Sequence, residues 1–346
     1  MARHRGSRGR NLNIIYIVAV VVAAVVVGGL IYGIWPLGTN GDKLQPDSND
    51  AGPGVVGPLE SGDASSTPPK EIVEFKPDVN SLKTGPVAEV TANPRADELI
   101  AQAEALLSGT PSRVIEARDK LNEALAMPMS LQQQSLVKSK LSTLANQWLF
   151  SKTFYAQDKL CSSYEVQSGD LLSKIGDERS VPYELLLEIN GIKRPESLRA
   201  GERIKVVNGP FHVKVHRSTF TMDVYLQGTY VKNFPVGLGE QGRQTPLGLW
   251  HIKAGGKMHR PIYTDPDTGE VIHPEDPDYP LGSRWMALEG LDENTKKETS
   301  FGIHGTKDPA SIGRDSSRGC IRLHNGDVIK VYNMLAPVKS LVKVVE

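Results

Sequence analysis

The stretch Phe301–Asn325 reads Phe-Gly-Ile-His-Gly-Thr-Lys-Asp-Pro-Ala-Ser-Ile-Gly-Arg-Asp-Ser-Ser-Arg-Gly-Cys-Ile-Arg-Leu-His-Asn. It holds Cys320, one of only 2 cysteines in the protein, 16 residues beyond His304. Residues 301–304 and 319–323 have the apolar look of short buried strands. The polar Asp, Ser, Gly and Pro between them at 307–316 are loop residues. Two adjacent strands would hold a thiol beside an imidazole on rigid backbone, as a cysteine nucleophile and its base require. Spacing alone favours a blander reading, a small buried cysteine and an unrelated histidine. The neighbours shift the balance. Gly319 leaves room beside the sulfur and exposes amides that could receive an oxyanion, and Arg322 shares a strand face with Cys320 and could hold a carboxylate.

His304-Gly305-Thr306 with Ser317-Arg318-Gly319-Cys320-Ile321-Arg322-Leu323 resembles the active-site signature of L,D-transpeptidase catalytic domains of the YkuD type, and the likeness covers 209–346. The resemblance implies that Cys320 is the nucleophile and His304 its base, with the Gly305 carbonyl orienting the ring. It also implies that Ser317, Arg318, Gly319 and Arg322 shape an acyl-binding or oxyanion pocket. Many family sequences carry His where Arg318 stands and Asn where Arg322 stands. Thr245-Pro246-Leu247-Gly248 resembles the family's Thr-Pro-x-Gly turn, which makes Thr245 a further candidate for positioning substrate.

Elsewhere 209–346 reads as mainly β. Strands are expected at 211–215, 219–226 and 230–236, with a turn at Gln227-Gly228, and another from the 245–248 turn to Ala254. Residues 255–282 form a long polar loop, read as a flap over the catalytic groove. Asn325 is placed as the N-cap of a helix to Leu335, and 338–345 as a closing strand.

Residues 162–208 show turn-rich strand-helix-helix-strand periodicity and resemble a LysM module. The resemblance implies binding of N-acetylglucosamine-containing glycan in a groove lined by Gly169, Asp170, Leu171, Leu172, Asn190, Gly191 and Ile192, largely through backbone groups. Residues 94–158 read as helical. Asn93-Pro94 starts one helix and Gly109 ends it, Thr110-Pro111 starts a second that Pro128 stops, and Ser130 with Gln133 forms a capping box for a third. The helix pair faintly resembles a tetratricopeptide unit and is expected to be a spacer or docking platform.

Upstream, 1–13 is a basic cytoplasmic tail with arginines at 3, 5, 8 and 10, and 14–35 is an uncharged run of 22 residues. As a helix that run is ~33 Å long, enough for a hydrocarbon core of ~30 Å. It is read as a single transmembrane anchor with the N-terminus inside, and the catalytic domain then lies in the periplasm or cell-wall space. A cleaved signal peptide is the competing reading. Residues 36–93 form a Pro-, Gly- and Ser-rich tether.

Balanced charge, 40 basic against 40 acidic residues, gives no support for a nucleic-acid partner. The histidines are scattered, and His212 and His216 lie ~13 Å apart along a strand, too far to share an ion, so neither metal nor cofactor is expected. The expected partners are peptidoglycan glycan strands and stem peptides. The expected activity is 3→3 cross-linking through a Cys thioester. The alternatives are an L,D-carboxypeptidase, a protein-to-wall transferase, or a catalytically silent wall-binding tether.

Overall fold

The computed structural model describes residues 91–346. The basic tail, the apolar run 14–35 and nearly all of the tether lie outside the described residues. No described helix is long and apolar enough to cross a membrane.

Three helices come first: α1 (Pro94–Ser108), α2 (Val114–Leu125) and α3 (Leu131–Trp148). Asn93 caps α1, its side chain accepting from the Arg95 amide, and Ser130 with Gln133 forms the expected capping box on α3. Leu99, Ala103, Val114, Ala117, Leu121, Val137, Leu141, Leu144 and Trp148 are buried at helical spacing. The start of α2 differs from expectation. The Arg113 amide donates to the Leu106 carbonyl at 3.0 Å, which extends the turn after α1, so α2 begins at Val114 and not at Thr110-Pro111.

The LysM-like module has β1 (Cys161–Glu165), α4 (Leu172–Glu178), α5 (Tyr183–Asn190) and β2 (Arg203–Val207), with β1 and β2 antiparallel. This is the order the periodicity predicts.

The rest is built on an eight-stranded sheet. Its members are β3 (Phe211–His216), β4 (Thr221–Leu226), β5 (Thr229–Pro235), β7 (Gly248–Met258), β10 (Trp285–Gly290), β11 (Gly302–His304), β13 (Ile321–Arg322) and β14 (Leu341–Val345). Their spatial order is β13-β11-β10-β7-β14-β3-β4-β5. The pairs β11/β13 and β14/β3 are parallel and the others antiparallel. Short strands β6 (Leu238–Gly239) and β12 (Asp315–Ser317) pair with each other, as do β8 (Tyr263–Thr264) and β9 (Val271–Ile272). Helix α6 (Asn325–Met334) buries Val328, Val331, Tyr332 and Met334.

Several boundaries move from the sequence reading, each for a local reason. Phe220 sits at φ +51° in a turn closed on Arg217, so β4 starts at Thr221. Strand β7 does not stop at Ala254. Gly255, at φ +67°, lies in a bulge opposite β10 that carries the strand on to Met258. The polar loop after it is correspondingly shorter and is stiffened by the β8/β9 hairpin. Val338, at φ +63°, belongs to a turn closed by Ser340 on Ala336, so β14 starts at Leu341.

The helical segment is also not a free spacer. Lys138 of α3 reaches Asp223 of β4 at 2.7 Å, where Asp223 is 1% exposed and also meets His216 at 3.2 Å. The Tyr230 amide of edge strand β5 donates to the α2 side chain of Asn122 at 2.9 Å. The helices therefore cover an edge that would otherwise be open to other strands.

Candidate active site

Strands β11 and β13 pair in parallel with Ile303 opposite Ile321 and His304 opposite Arg322. Side chains alternate across a strand, so His304 and Cys320 fall on the same face as diagonal neighbours. The expected thiol–imidazole juxtaposition is thus a consequence of the register. His304 is buried, and its Nδ1 lies 2.6 Å from the Gly305 carbonyl. A carbonyl only accepts, so Nδ1 carries the proton and Nε2 keeps its lone pair. Trp285, opposite His304 on β10, stacks on the ring at 5.6 Å between centroids and 26° between planes.

Gly305 is needed because a Cβ there would lie 2.2 Å from Asn325 Oδ1. Asn325 does not cap α6 as expected. His324 takes the N-cap place, and the Asn325 side chain instead donates to the Thr306 carbonyl at 2.9 Å and accepts from the Ser283 amide at 3.0 Å. It thereby fixes the turn whose Gly305 carbonyl orients the histidine.

The nucleophile loop is braced from beneath. Ser317 Oγ donates to the Cys320 carbonyl at 2.7 Å and accepts from the Gly319 amide at 3.1 Å. Thr245 Oγ1 donates to the Gly319 carbonyl at 2.8 Å and accepts from the Gly239 amide at 3.1 Å. Ser317 and Thr245 are both buried. They lie at the site, but as braces whose hydroxyls are already engaged and not as walls presented to a ligand. Gly319 also departs from expectation. It sits at φ +115°, and the ring of Phe301 occupies the space beside it, so a Cβ would lie 2.5 Å from Phe301 Cε1. Its amide is engaged by Ser317, which leaves the Cys320 amide as the candidate oxyanion donor.

Burial pushes the Cys320 thiol up, against smaller opposing effects of the Gly302 amide and Arg322. Burial pushes His304 down to about 4, and the nearby Arg322 adds to the effect against the Gly305 hydrogen bond. At neutral pH the thiol and the imidazole on this sheet face are therefore both neutral, and the thiol donates to the Ser300 carbonyl at 3.8 Å. Thiolate would form as the proton passes to Nε2 during attack.

A cavity of about 810 Å3 lies between the flap, with Tyr263 and Asp265 on one side, and Lys307, Ser316, Arg318 and Arg322 on the other; Cys320 and His304 are not in its lining. Arg322 is half-buried and donates to the Ser316 carbonyl at 3.2 Å, while its Nε has no partner. Arg318 meets Asp265 at 2.7 Å and Asp267 at 2.9 Å. Arg243 also reaches Asp267, at 3.0 Å, and Lys307 holds Asp278 at 2.9 Å. The flap is thus pinned by charge at three points around the nucleophile and base loops. Its acidic partners, with Trp285, Phe301 and Asn325, escape a sequence reading. Only the density of Asp in the flap hints at them.

In the LysM-like module, Leu171 is exposed, but Leu172 is in the core and Asn190 is buried. Asn190 donates to the carbonyls of Leu186 and Lys205 and accepts from the Lys205 amide. Asp170 accepts from the Tyr164 hydroxyl and the Gln167 amide. The side chains of Leu172, Asn190 and Asp170 therefore build the loops, while Gly169, Leu171, Gly191 and Ile192 are left for contact. A cavity of about 580 Å3 lies against Asn190, Gly191 and Ile192 without including 169–172.

Comparison with known proteins finds both domains. Residues 210–344 match the L,D-transpeptidase catalytic domain model YkuD, and residues 164–207 match the LysM domain model. YkuD of Bacillus subtilis (strain 168), named an L,D-transpeptidase, is 29% identical over 180 residues, which is 50% of this chain and 93% of that protein. YqjB of the same strain, also named an L,D-transpeptidase, is 30% identical over 138 residues, covering 40% of this chain and 73% of YqjB. A crystal structure of an L,D-transpeptidase from Mycobacterium tuberculosis H37Rv matches 42% of this chain and 63% of its own length at 18% identity, with a TM-score of 0.32. The overlap spans less than two thirds of that solved chain, and it carries no weight here. With its signature on one sheet face and three quarters of YqjB matched at that identity, this chain belongs to the L,D-transpeptidase family with a YkuD catalytic domain.

Proposed function

We propose that the protein is a cell-wall L,D-transpeptidase that works on peptidoglycan stem peptides through a Cys320 thioester and forms 3→3 cross-links. The observation that carries this reading is the parallel β11/β13 register. It sets the Cys320 thiol diagonal to a histidine whose Nδ1 proton is fixed on Gly305. In the donor step Cys320 Sγ attacks the carbonyl of the amide that follows meso-diaminopimelate, and its proton passes to His304 Nε2. The Cys320 amide faces the oxyanion, a contribution of ~3–4 kcal/mol per donor. The C–N bond breaks, His304 returns the proton to the leaving amine, and D-alanine departs. An amine of a second stem then attacks the thioester, gives its proton to His304 and releases the sulfur.

In this reading the LysM module holds the glycan strand while the catalytic groove engages the stem. The run 14–35 anchors the chain in the cytoplasmic membrane with its basic end inside and the enzyme in the wall space. Membrane association that resists carbonate washing, and is lost on deletion of residues 1–35, is the expected result for the anchor.

The deciding assay incubates the unit 69–346 with disaccharide-tetrapeptides and weighs the products. A dimer lighter by one D-alanine is expected, and none from Cys320→Ala. Tripeptide alone would make the enzyme a carboxypeptidase or a transferase with another acceptor. No product from folded, reduced protein would leave a wall-binding tether.

A further inference from the structure

Beside the loop Asn190–Ile192 the chain builds a cationic recess that the LysM module does not make alone. The cavity against Asn190–Ile192 is also lined by Lys152, Lys193 and Arg199, with Glu202 as its one carboxylate. Lys152 comes from outside the module, in the connection after α3. Its position is built. Asn190 holds the backbone of Lys205 through hydrogen bonds of 2.8 Å in both directions. The buried Lys205 ammonium then donates to the carbonyls of Ser151 at 3.0 Å and Thr153 at 2.7 Å, on either side of Lys152. The Lys152 side chain is thereby laid over Gly191, where a Cβ would come within 3.2 Å of its Cε and 3.4 Å of its Nζ. The same glycine sits at φ +62° and ends α5. Lys152, Lys193 and Arg199 have no ion-pair partner among the described residues. Three unpaired cations around one recess make a local positive field in a chain of zero net charge.

We propose that Lys152, Lys193 and Arg199 form a binding site for anionic groups of the wall polymer, adjoining the loop Asn190–Ile192. The proposal rests on the reading that the module binds wall glycan. It adds a charge-dependent component that a neutral sugar groove lacks. The required ligand chemistry is an oxyanion at the flank of a glycan strand. A stem-peptide carboxylate and a phosphodiester of an attached anionic polymer both supply it.

The test measures binding of the full-length protein, in detergent, to purified sacculi across a salt series. The variant is K152Q/K193Q/R199Q, and the control for loss of a single charge outside the recess is Lys174→Gln, an exposed lysine on α4. At low salt the triple variant is expected to bind roughly fivefold to tenfold more weakly than wild type, with a shallower salt dependence. The gap should close near 1 M salt, where the Debye length is ~3 Å, and Lys174→Gln should match wild type. Sacculi stripped of phosphodiester polymer by hydrofluoric acid, and sacculi stripped of stems by an amidase, separate the two oxyanions. The gap disappears only in the preparation that lacks the true ligand. A triple variant that binds like wild type at every salt concentration overturns the proposal. So does one whose only change is a lower unfolding temperature, because the cations would then merely complement the carbonyl end of α5. If wild type binds neither sacculi nor bare glycan strands, the glycan reading itself fails. Equal binding of wild type and variant to bare strands alongside equal binding to intact sacculi removes the anionic site and leaves the glycan reading standing.

Discussion

Thr245→Val tests whether the nucleophile is held in place from below. Thr245 is 3% exposed, and valine keeps its shape while removing the hydroxyl. Two buried groups then lose their partner, the Gly319 carbonyl at 2.8 Å and the Gly239 amide at 3.1 Å. Each unsatisfied buried group costs about 1–3 kcal/mol, so ~2–4 kcal/mol is expected once some relaxation is allowed. The Gly319 carbonyl belongs to the peptide that carries the Cys320 amide, so relaxation moves the sulfur and the oxyanion donor together. That energy is lost from folding stability, while the rate falls through misplacement, since a shift of ~1 Å at a reacting atom can cost ~100-fold. The assay is steady-state D-alanine release from a tetrapeptide donor. The kcat should fall by about two orders of magnitude with KM within about threefold, because Thr245 presents no free group to substrate. Thr245→Ser restores the hydroxyl and should recover most of the rate. Wild-type kcat in Thr245→Val, with an unchanged unfolding temperature, would refute the bracing role.

Three further outcomes follow from other contacts. Lys138→Met leaves Asp223, whose Oδ1 already lacks a partner, buried with only His216 Nε2 at 3.2 Å and the Tyr225 hydroxyl at 3.5 Å beside its Oδ2. A loss of ~3–5 kcal/mol is expected, or roughly 10 °C in Tm, read by calorimetry; a change under 1 °C would mean that the helices are not docked through this pair. Burial depresses both His304 and His212 to about 4, from an unfolded value near 6.5. The unfolded chain therefore binds more protons between those values, so stability is full above about pH 6.5 and declines as pH falls toward 4, which urea titration at stepped pH will show. Arg318→Gln removes the link from the nucleophile loop to Asp265 and Asp267, and amide exchange across 263–272 should quicken, more at low salt than at high. Unchanged exchange would mean that Arg243 and the hairpin hold the flap by themselves.

Most strands of the sheet, the LysM-like module, the caps at Asn93 and Ser130 and the adjacency of the strands next to Cys320 and His304 were readable because each rests on local pattern. Alternation marks strands, Ser130 with Gln133 marks a helix start, and the signature lies within 25 residues. What escaped is the set of partners that the fold brings from far away. Gly319 reads as open space in sequence, yet Phe301 fills that space. Asn325 reads as a helix cap because it precedes an apolar stripe, yet folding presents Thr306 and Ser283 to it and it serves the histidine turn. The α3 stripe predicts a buried face without saying that β5 lies beneath it.

Arg318 brings the two kinds of information together. The family resemblance implied a pocket residue, and Arg318 lines the cavity between the flap and the nucleophile loop. Its charge, however, is met by flap carboxylates 53 and 51 residues earlier in the chain. An anionic substrate that seeks this arginine must compete with Asp265, whose carboxyl is held down to about 2 chiefly by Arg318 itself and so stays ionised throughout the working range. Donor binding and release of the flap are consequently drawn toward one residue. Carboxylate-bearing donors should therefore gain less from Arg318 in the wild type than in Asp265→Asn, where one of its two competitors has lost its charge.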